Sequence, residues 1–172
     1  MSQLGFMIAL VHQAIRDPLT TSFSRLSGEE LLEIQFIIAT RSHSPLALAF
    51  IDLDNFKQIN DRFGHEAGDE VLVHVVKRIR EQLRTGDMLT RWGGEEFILI
   101  LPNMYCSDAV IAVERLRETG FGKALDGAPV TASVGLSEWI EDRAPDWKTL
   151  VDIADRRMYL AKMCGKNGAV EW

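Results

Sequence analysis

Arg91-Trp92-Gly93-Gly94-Glu95-Glu96-Phe97 sets two carboxylates directly behind two glycines and directly before an apolar run, Phe97-Ile98-Leu99-Ile100-Leu101. Adjacent glycines allow a tight turn with positive φ and leave the backbone open to close approach. Two acids held at the lip of a buried strand suit metal and phosphate chemistry, although acidic hairpin tips are also common solvated turns. Upstream, Asp52 and Asp54 close a second apolar run, Leu46-Ala47-Leu48-Ala49-Phe50-Ile51. Alternation in a strand puts both acids on one face and Leu53 on the other. A hard cation such as Mg²⁺ takes carboxylate oxygens and keeps several waters for substrate phosphates. One Asp from this strand end and one Glu from the hairpin tip would form such a site. The competing reading leaves these acids exposed or ion-paired.

Other residues could serve the same chemistry. Helix N-termini hold phosphates through unpaired N–H groups and the positive end of the dipole, and Lys57 falls in the first turn of the helix expected after Asp54. It could equally be an ordinary surface lysine. Asn60 and Asp69 flank Phe63-Gly64-His65. An amide with a carboxylate matches the carbonyl acceptor and two N–H donors of a guanine edge, but an Asn and an Asp near a glycine are also what a plain helix end looks like. Lys162 and Lys166 flank Gly165. Two cations there would hold a triphosphate, or would simply complement a helix C-terminus.

The elements that must position these residues follow from pattern. Leu4, Ile8, Val11 and Ile15 repeat at the spacing of a short coiled-coil seam, or of a helix packed on its own domain, and Pro18 ends that helix. Ser27 and Glu30 form a capping box for a helix to about Ser42. The spacing then predicts a strand at 46–51, a short helix at 55–63 closed by Gly64, and an amphipathic helix at 66–83. Strands follow at 87–92 and 96–101, then a helix at 107–119, a strand at 130–140 with small residues at its middle, and a helix at 146–163. Ala169-Val170 reads as a final edge strand. The order describes one α/β (α+β) domain with a mostly antiparallel sheet and helices on its faces.

Composition sets limits. With 172 residues the chain fits a single core, and 47% hydrophobic with 26% charged residues is an ordinary globular balance. The net charge of −6 disfavours a nucleic-acid polymer, whose phosphates need a basic face. It leaves room for a nucleotide, which needs only a few local cations. Cys106 and Cys164 form no metal spacing and read as two free thiols of a reducing, cytoplasmic compartment. The four histidines show no ligand spacing. No stretch is long and apolar enough to span a membrane, and the start lacks the basic region and cleavage site of a signal peptide.

Taken together, these segments resemble the GGDEF family, the diguanylate cyclases. The pieces are Asp17-Pro18-Leu19-Thr20, Phe50-Ile51-Asp52-Leu53-Asp54-Asn55-Phe56-Lys57, Ile59-Asn60-Asp61, Phe63-Gly64-His65, Gly68-Asp69, the Arg91–Phe97 segment, Ala161-Lys162 and Gly165-Lys166-Asn167. Their order and spacing together are highly specific. The likeness runs from about Asp17 to Val170, so that residues 1–16 would be a linker helix and 17–172 the catalytic domain.

The resemblance implies a palm-like, nucleotide-cyclase fold with a five-stranded sheet. It implies a reaction in which a homodimer condenses two GTP to cyclic di-GMP and two pyrophosphates. By it, Asp52, the carbonyl of Leu53, Glu95 and Glu96 would bind Mg²⁺ or Mn²⁺, two ions per site, and Glu95 would be the base for the 3′-hydroxyl. Asn60 and Asp69 would read guanine, and Lys57, Lys162 and Lys166 would hold the phosphates. Arg84-Thr85-Gly86-Asp87 has the offset of the family's Arg-x-x-Asp product-inhibition site, with Arg84 and Asp87 binding cyclic di-GMP. An upstream sensory domain would lie outside this chain, which could be the cytoplasmic part of a membrane-attached protein. Two departures stand out. The family follows Asp-x-Leu-Thr with Gly-Leu-x-Asn-Arg, where this chain has Thr21-Ser22-Phe23-Ser24-Arg25. Lys166 stands where arginine is common, keeping the charge but losing the bidentate fork. The rival readings are a non-catalytic receptor for GTP or cyclic di-GMP, which the intact acids disfavour, and a different palm-type cyclase or polymerase.

Overall fold

The computed structural model describes residues 15–171. The expected linker helix therefore lies outside the described residues, apart from Ile15 and Arg16. The first helix described in full, α1, spans Arg25–Ser42. Its cap is Ser24, whose hydroxyl accepts from the Ser27 amide. The capping box expected at Ser27 and Glu30 is thus displaced by three residues. Ser27 has already entered the first turn, because Ser24 is in the extended conformation that a capping side chain needs.

Strand β1 (Leu46–Leu53) leads into α2 (Phe56–Phe63) and α3 (His65–Gln82), which meet at Gly64 with φ 89°. The hairpin β2 (Met88–Arg91) and β3 (Glu96–Pro102) follows. The chain then forms α4 (Cys106–Thr119), β4 (Ala132–Glu138), α5 (Trp147–Met163) and β5 (Ala169–Val170). The sheet order is β2-β3-β1-β4-β5, antiparallel at every pairing except β4 with β5.

All eight residues of the central β1 are buried. This is why its sequence is a continuous apolar run rather than an alternation. Ala47, Ala49, Ile51 and Leu53 face Val75 and Ile79 of α3 and Val113 and Leu116 of α4. Leu46, Leu48 and Phe50 face Leu32 and Phe36 of α1 and Leu150 and Met158 of α5. Two layers of helix thus enclose the sheet, and the acid Asp52 falls at the C-terminal end of β1. Helix α5 lies directly on β4. A Cβ on Gly135 would come within 1.9 Å of the Ala154 carbonyl oxygen and 2.2 Å of the Met158 nitrogen. Gly135 thereby sets the height of α5 above the sheet and, with it, the place of Lys162.

Among the described residues, no helix is long and apolar enough to cross a membrane. Both cysteines are free, Cys106 buried and Cys164 exposed.

Candidate active site

Strand register brings the acids together. Asp52 lies directly opposite Glu96 in the β1–β3 ladder, and the Leu53 amide donates to the Glu95 carbonyl at 3.2 Å. The end of the central strand and the hairpin turn therefore share one lip. Neither Gly93 nor Gly94 takes the positive φ expected of the turn. A Cβ at position 93 would stand 2.5 Å from Oε2 of Glu96, the far end of a flexible side chain that would have to turn aside. The turn is held from behind. Arg91 donates from Nε and Nη2 to the Gly94 carbonyl at 3.2 and 2.9 Å, and from Nε to that of Gly93 at 3.3 Å.

Burial, above all, raises the Asp52 pKa. The hydrogen bond and charge of Lys162 pull it back, and the charges of Glu95 and Asp54 add to the rise. Glu96 is raised in the same way, by burial and then by Asp52, Asp155 and Glu95. Asp155 of α5 is itself raised by burial and by Asp152. Like charges crowded into a half-desolvated place favour a cation. In this structure the cation is the Lys162 ammonium, 2.6 Å from Oδ1 of Asp52. The ion-paired reading of Asp52 and the site reading therefore meet in one contact between two expected site residues. An all-oxygen donor set fits Mg²⁺ or Mn²⁺. Among the described residues, however, no three acidic, histidine or cysteine side chains converge closely enough to hold a metal ion.

The loop after β1 is gripped by the end of α5. Asp54 is buried and accepts from the Thr131 hydroxyl, the Ser133 hydroxyl and the Asn167 amide at 2.7, 2.7 and 2.9 Å. With those bonds filled, Asp54 acts as a fastener, a role that its alternation with Asp52 did not distinguish. Lys166 Nζ donates to Oδ1 of Asn55 at 2.6 Å. Asn55 is left-handed (φ 57°) and opens directly into α2, a change of hand of the kind that can turn successive N–H groups toward an anion. Lys57 is exposed in the first turn of α2. Lys57 and Lys166 thus stand at one helix N-terminus, and Lys162 one turn away on α5.

Asn60 and Asp69 lie on α2 and α3 respectively. The Asn60 Oδ1 atom is buried without a hydrogen-bond partner, an orphan that a bound donor would satisfy. Gly68, directly before the exposed Asp69, is what admits it, because a Cβ on Gly68 would stand 1.8 Å from that oxygen. Arg84 and Asp87 form a separate turn just beyond the C-terminal end of α3. The Arg84 amide donates to Oδ2 of Asp87 at 2.8 Å. Arg115 of α4 lines the same small cavity and donates to the Gln82 carbonyl at 3.4 Å. No local pattern marked Arg115, because only the packing of α4 against α3 brings it there. Asp155 was missed for the same reason. A cleft of about 650 Å³ opens beside Glu96, lined by Trp92, Trp147, Asp152 and Asp155.

Such a geometry defines a class: an α+β domain whose central strand ends in an acidic lip, beside a helix N-terminus flanked by Lys57 and Lys166 and a buried amide oxygen without a partner. The family model described as "Diguanylate cyclase, GGDEF domain" matches residues 14–168, and the chain belongs to that family. It is 32% identical to diguanylate cyclase DosC of Escherichia coli (strain K12) over 164 residues, 94% of this chain and 36% of DosC. The chain thus spans about a third of that relative's length. Among solved structures it is similar to diguanylate cyclase SiaD of Pseudomonas aeruginosa, solved with its activator SiaC. The TM-score is 0.86 and the identity 36%, over 98% of this chain and 66% of that one. It is also similar to a microbial GGDEF domain solved with cyclic di-GMP, with TM-score 0.82 and 33% identity over 95% and 99% of the two chains.

Proposed function

We propose that this chain is a diguanylate cyclase domain that condenses two GTP to cyclic di-GMP and two pyrophosphates. The observation that carries this reading is the pairing of Asp52 with Glu96 across β1 and β3, with Glu95 tied to the Leu53 amide. Asp52, the Leu53 carbonyl, Glu95 and Glu96 would hold Mg²⁺ or Mn²⁺, two per site, after side-chain movement, since the three carboxylates do not converge in this structure. Ions bound there would neutralise triphosphate charge and favour ionisation of the attacking hydroxyl.

The chain's own groups do the rest by positioning and charge, as phosphoryl transfer requires. Asn60 and Asp69 take the guanine edge. Lys57 and Lys166, with the N–H groups of α2, take the phosphates. Lys162 leaves Asp52 for a phosphate once another cation satisfies that carboxylate. Glu95 accepts the proton of a 3′-hydroxyl. The oxygen forms its bond to the α-phosphorus of the other nucleotide as the bond to the β-phosphate oxygen breaks, and pyrophosphate departs. A second such step closes the ring. Each domain holds one GTP, so two domains must face one another as a homodimer. Cyclic di-GMP at Arg84 and Asp87 would inhibit, and a preceding sensory domain would govern dimerisation through residues 1–16.

The test is incubation of concentrated protein with GTP and Mg²⁺, with the product read by mass spectrometry. Cyclic di-GMP is expected from the parent and not from Glu95→Gln. A dimer-enforcing fusion that binds GTP but yields no product would overturn the reading in favour of a receptor.

A further inference from the structure

Thr21 has φ 61°. A β-branched residue in the left-handed region is a genuine outlier, which persists only where its surroundings over-determine it. Glycine would take that conformation freely. Three groups hold Thr21 instead. Its amide donates to the Asp17 carbonyl at 2.9 Å. Arg80 donates from Nη1 to its hydroxyl at 2.9 Å and from Nη2 to its carbonyl at 2.5 Å. Arg16 reaches the same carbonyl at 3.5 Å.

Arg80 belongs to the last turn of α3, one turn before Arg84. Thr21 belongs to the turn that carries Asp17. That turn presents Asp17 to Arg91, both Oδ atoms at 3.2 Å from Nη1, and Arg91 holds the Gly93 and Gly94 carbonyls. The turn also adds to the sheet edge, since the Phe23 amide donates to Leu89 O and the Arg91 amide to Phe23 O, at 2.9 and 3.0 Å. A continuous set of bonds therefore runs from the end of α3 through Thr21 to the turn that carries Glu95.

We propose that Arg80 is a positioning residue for the reaction: by holding Thr21 left-handed it keeps Asp17 on Arg91, and so keeps the Gly-Gly turn and Glu95 in place. It does in this chain what a glycine's conformational freedom would do at this position. The proposal rests on the cyclase reading above for its effect on turnover, and on the geometry alone for its effect on Thr21.

The experiment is a double-mutant cycle of Arg80→Met and Thr21→Gly, in the full chain as an enforced dimer. Unfolding midpoints are measured together with kcat and KM for GTP per GTP-binding site. Arg80→Met is expected to lower kcat by about ten- to a hundredfold with KM unchanged, and to lower the midpoint. Thr21→Gly alone stays near the parent, and the double variant recovers most of the lost kcat and midpoint, because glycine needs no latch. A merely structural arginine would lower the midpoint while leaving kcat per binding site intact. That outcome, or a double variant as slow as Arg80→Met, overturns the proposal. Should the parent make no cyclic di-GMP, the cyclase reading fails separately. Equal loss of midpoint from Arg80→Met in the parent and in the Thr21→Gly variant would then overturn the latch itself.

Discussion

The guanidinium of Arg91 is shared between Asp17, seventy-four residues away in sequence, and the carbonyls of the glycines that follow it. Both side chains are largely shielded, at 19% and 16% exposure. Asp17 also accepts from the amide and hydroxyl of Thr20 at 2.8 and 2.7 Å, so a single carboxylate organises the entry turn and the hairpin together. Hydrogen bonds to charged groups contribute about 1.5–3 kcal/mol. Asp17→Asn is expected to lose stability of about that size in urea unfolding, and to slow product formation without weakening GTP binding.

The same carboxylate sets a pH dependence. Burial alone would raise the Asp17 pKa, but the Thr20 bonds and the Arg91 charge together bring it below the ordinary carboxylate value. A depressed folded-state pKa adds stability that is present above the unfolded pKa of about 3.9 and is lost as pH falls through the folded value. Acid unfolding below about pH 4 should therefore be less steep in Asp17→Asn than in the parent. Parallel curves for the two proteins would contradict this account.

Glu96 presents the opposite sign. Burial and the charges of Asp52, Asp155 and Glu95 raise its pKa, so its ionised form is a cost to the folded state at neutral pH. Glu96→Gln should melt at a higher temperature than the parent in the absence of divalent cations. Mg²⁺ should raise the parent's midpoint more than the variant's, because the parent has more repulsion for the ion to relieve. Cyclic di-GMP formation should be lost.

Gly68→Ala tests the proposed role of Asn60 in holding the guanine base. Its Cβ would overlap the Asn60 side-chain oxygen at 1.8 Å and crowd Phe56. Overpacking of this kind costs roughly 1–3 kcal/mol. The more specific expectation is weaker GTP binding by calorimetry and a smaller preference for GTP over ATP, with the acidic lip at Asp52 and Glu96 unaffected.

Gly135→Ala tests how the fold positions the site. The added carbon would meet backbone atoms of α5, at Ala154, Arg157 and Met158, and backbone cannot swing aside as a side chain can. Destabilisation at or above the upper end of that same range, about 3 kcal/mol, is expected. Moving α5 would also carry Lys162 away from Asp52, so GTP affinity should fall even at temperatures where the variant is folded. A stable variant with parental GTP affinity would show that α5 does not set the place of Lys162.

Much of the site was legible because the chemistry is local in sequence. Asp52 follows an apolar run, Glu95 and Glu96 follow two glycines, and a strand end or a turn tip is readable from such neighbours alone. The core strands were legible because β1 is buried on both faces, which only a continuous apolar run can satisfy. The helix cap shifted from Ser27 to Ser24 because both serines offer the same side chain, and the choice depends on backbone entry from the Phe23 strand edge. The expected positive φ at the glycine pair failed because glycine takes ordinary as well as unusual dihedrals, and its letter does not say which.

What the amino-acid sequence determined by itself was the family, the order of elements and the set of acids and lysines, since each rests on residue type, period and spacing along the chain. The tertiary structure alone decided which of them touch. Lys162 sits on Asp52 across 110 residues, Asp54 is a fastener, Asp155 and Arg115 join sites that their neighbours in sequence do not mark, and Arg80 holds Thr21. The physical reason is the same in each case. Burial and partnership are properties of surfaces brought together by packing, and the free energy of a charge or a strained dihedral depends on what is packed against it.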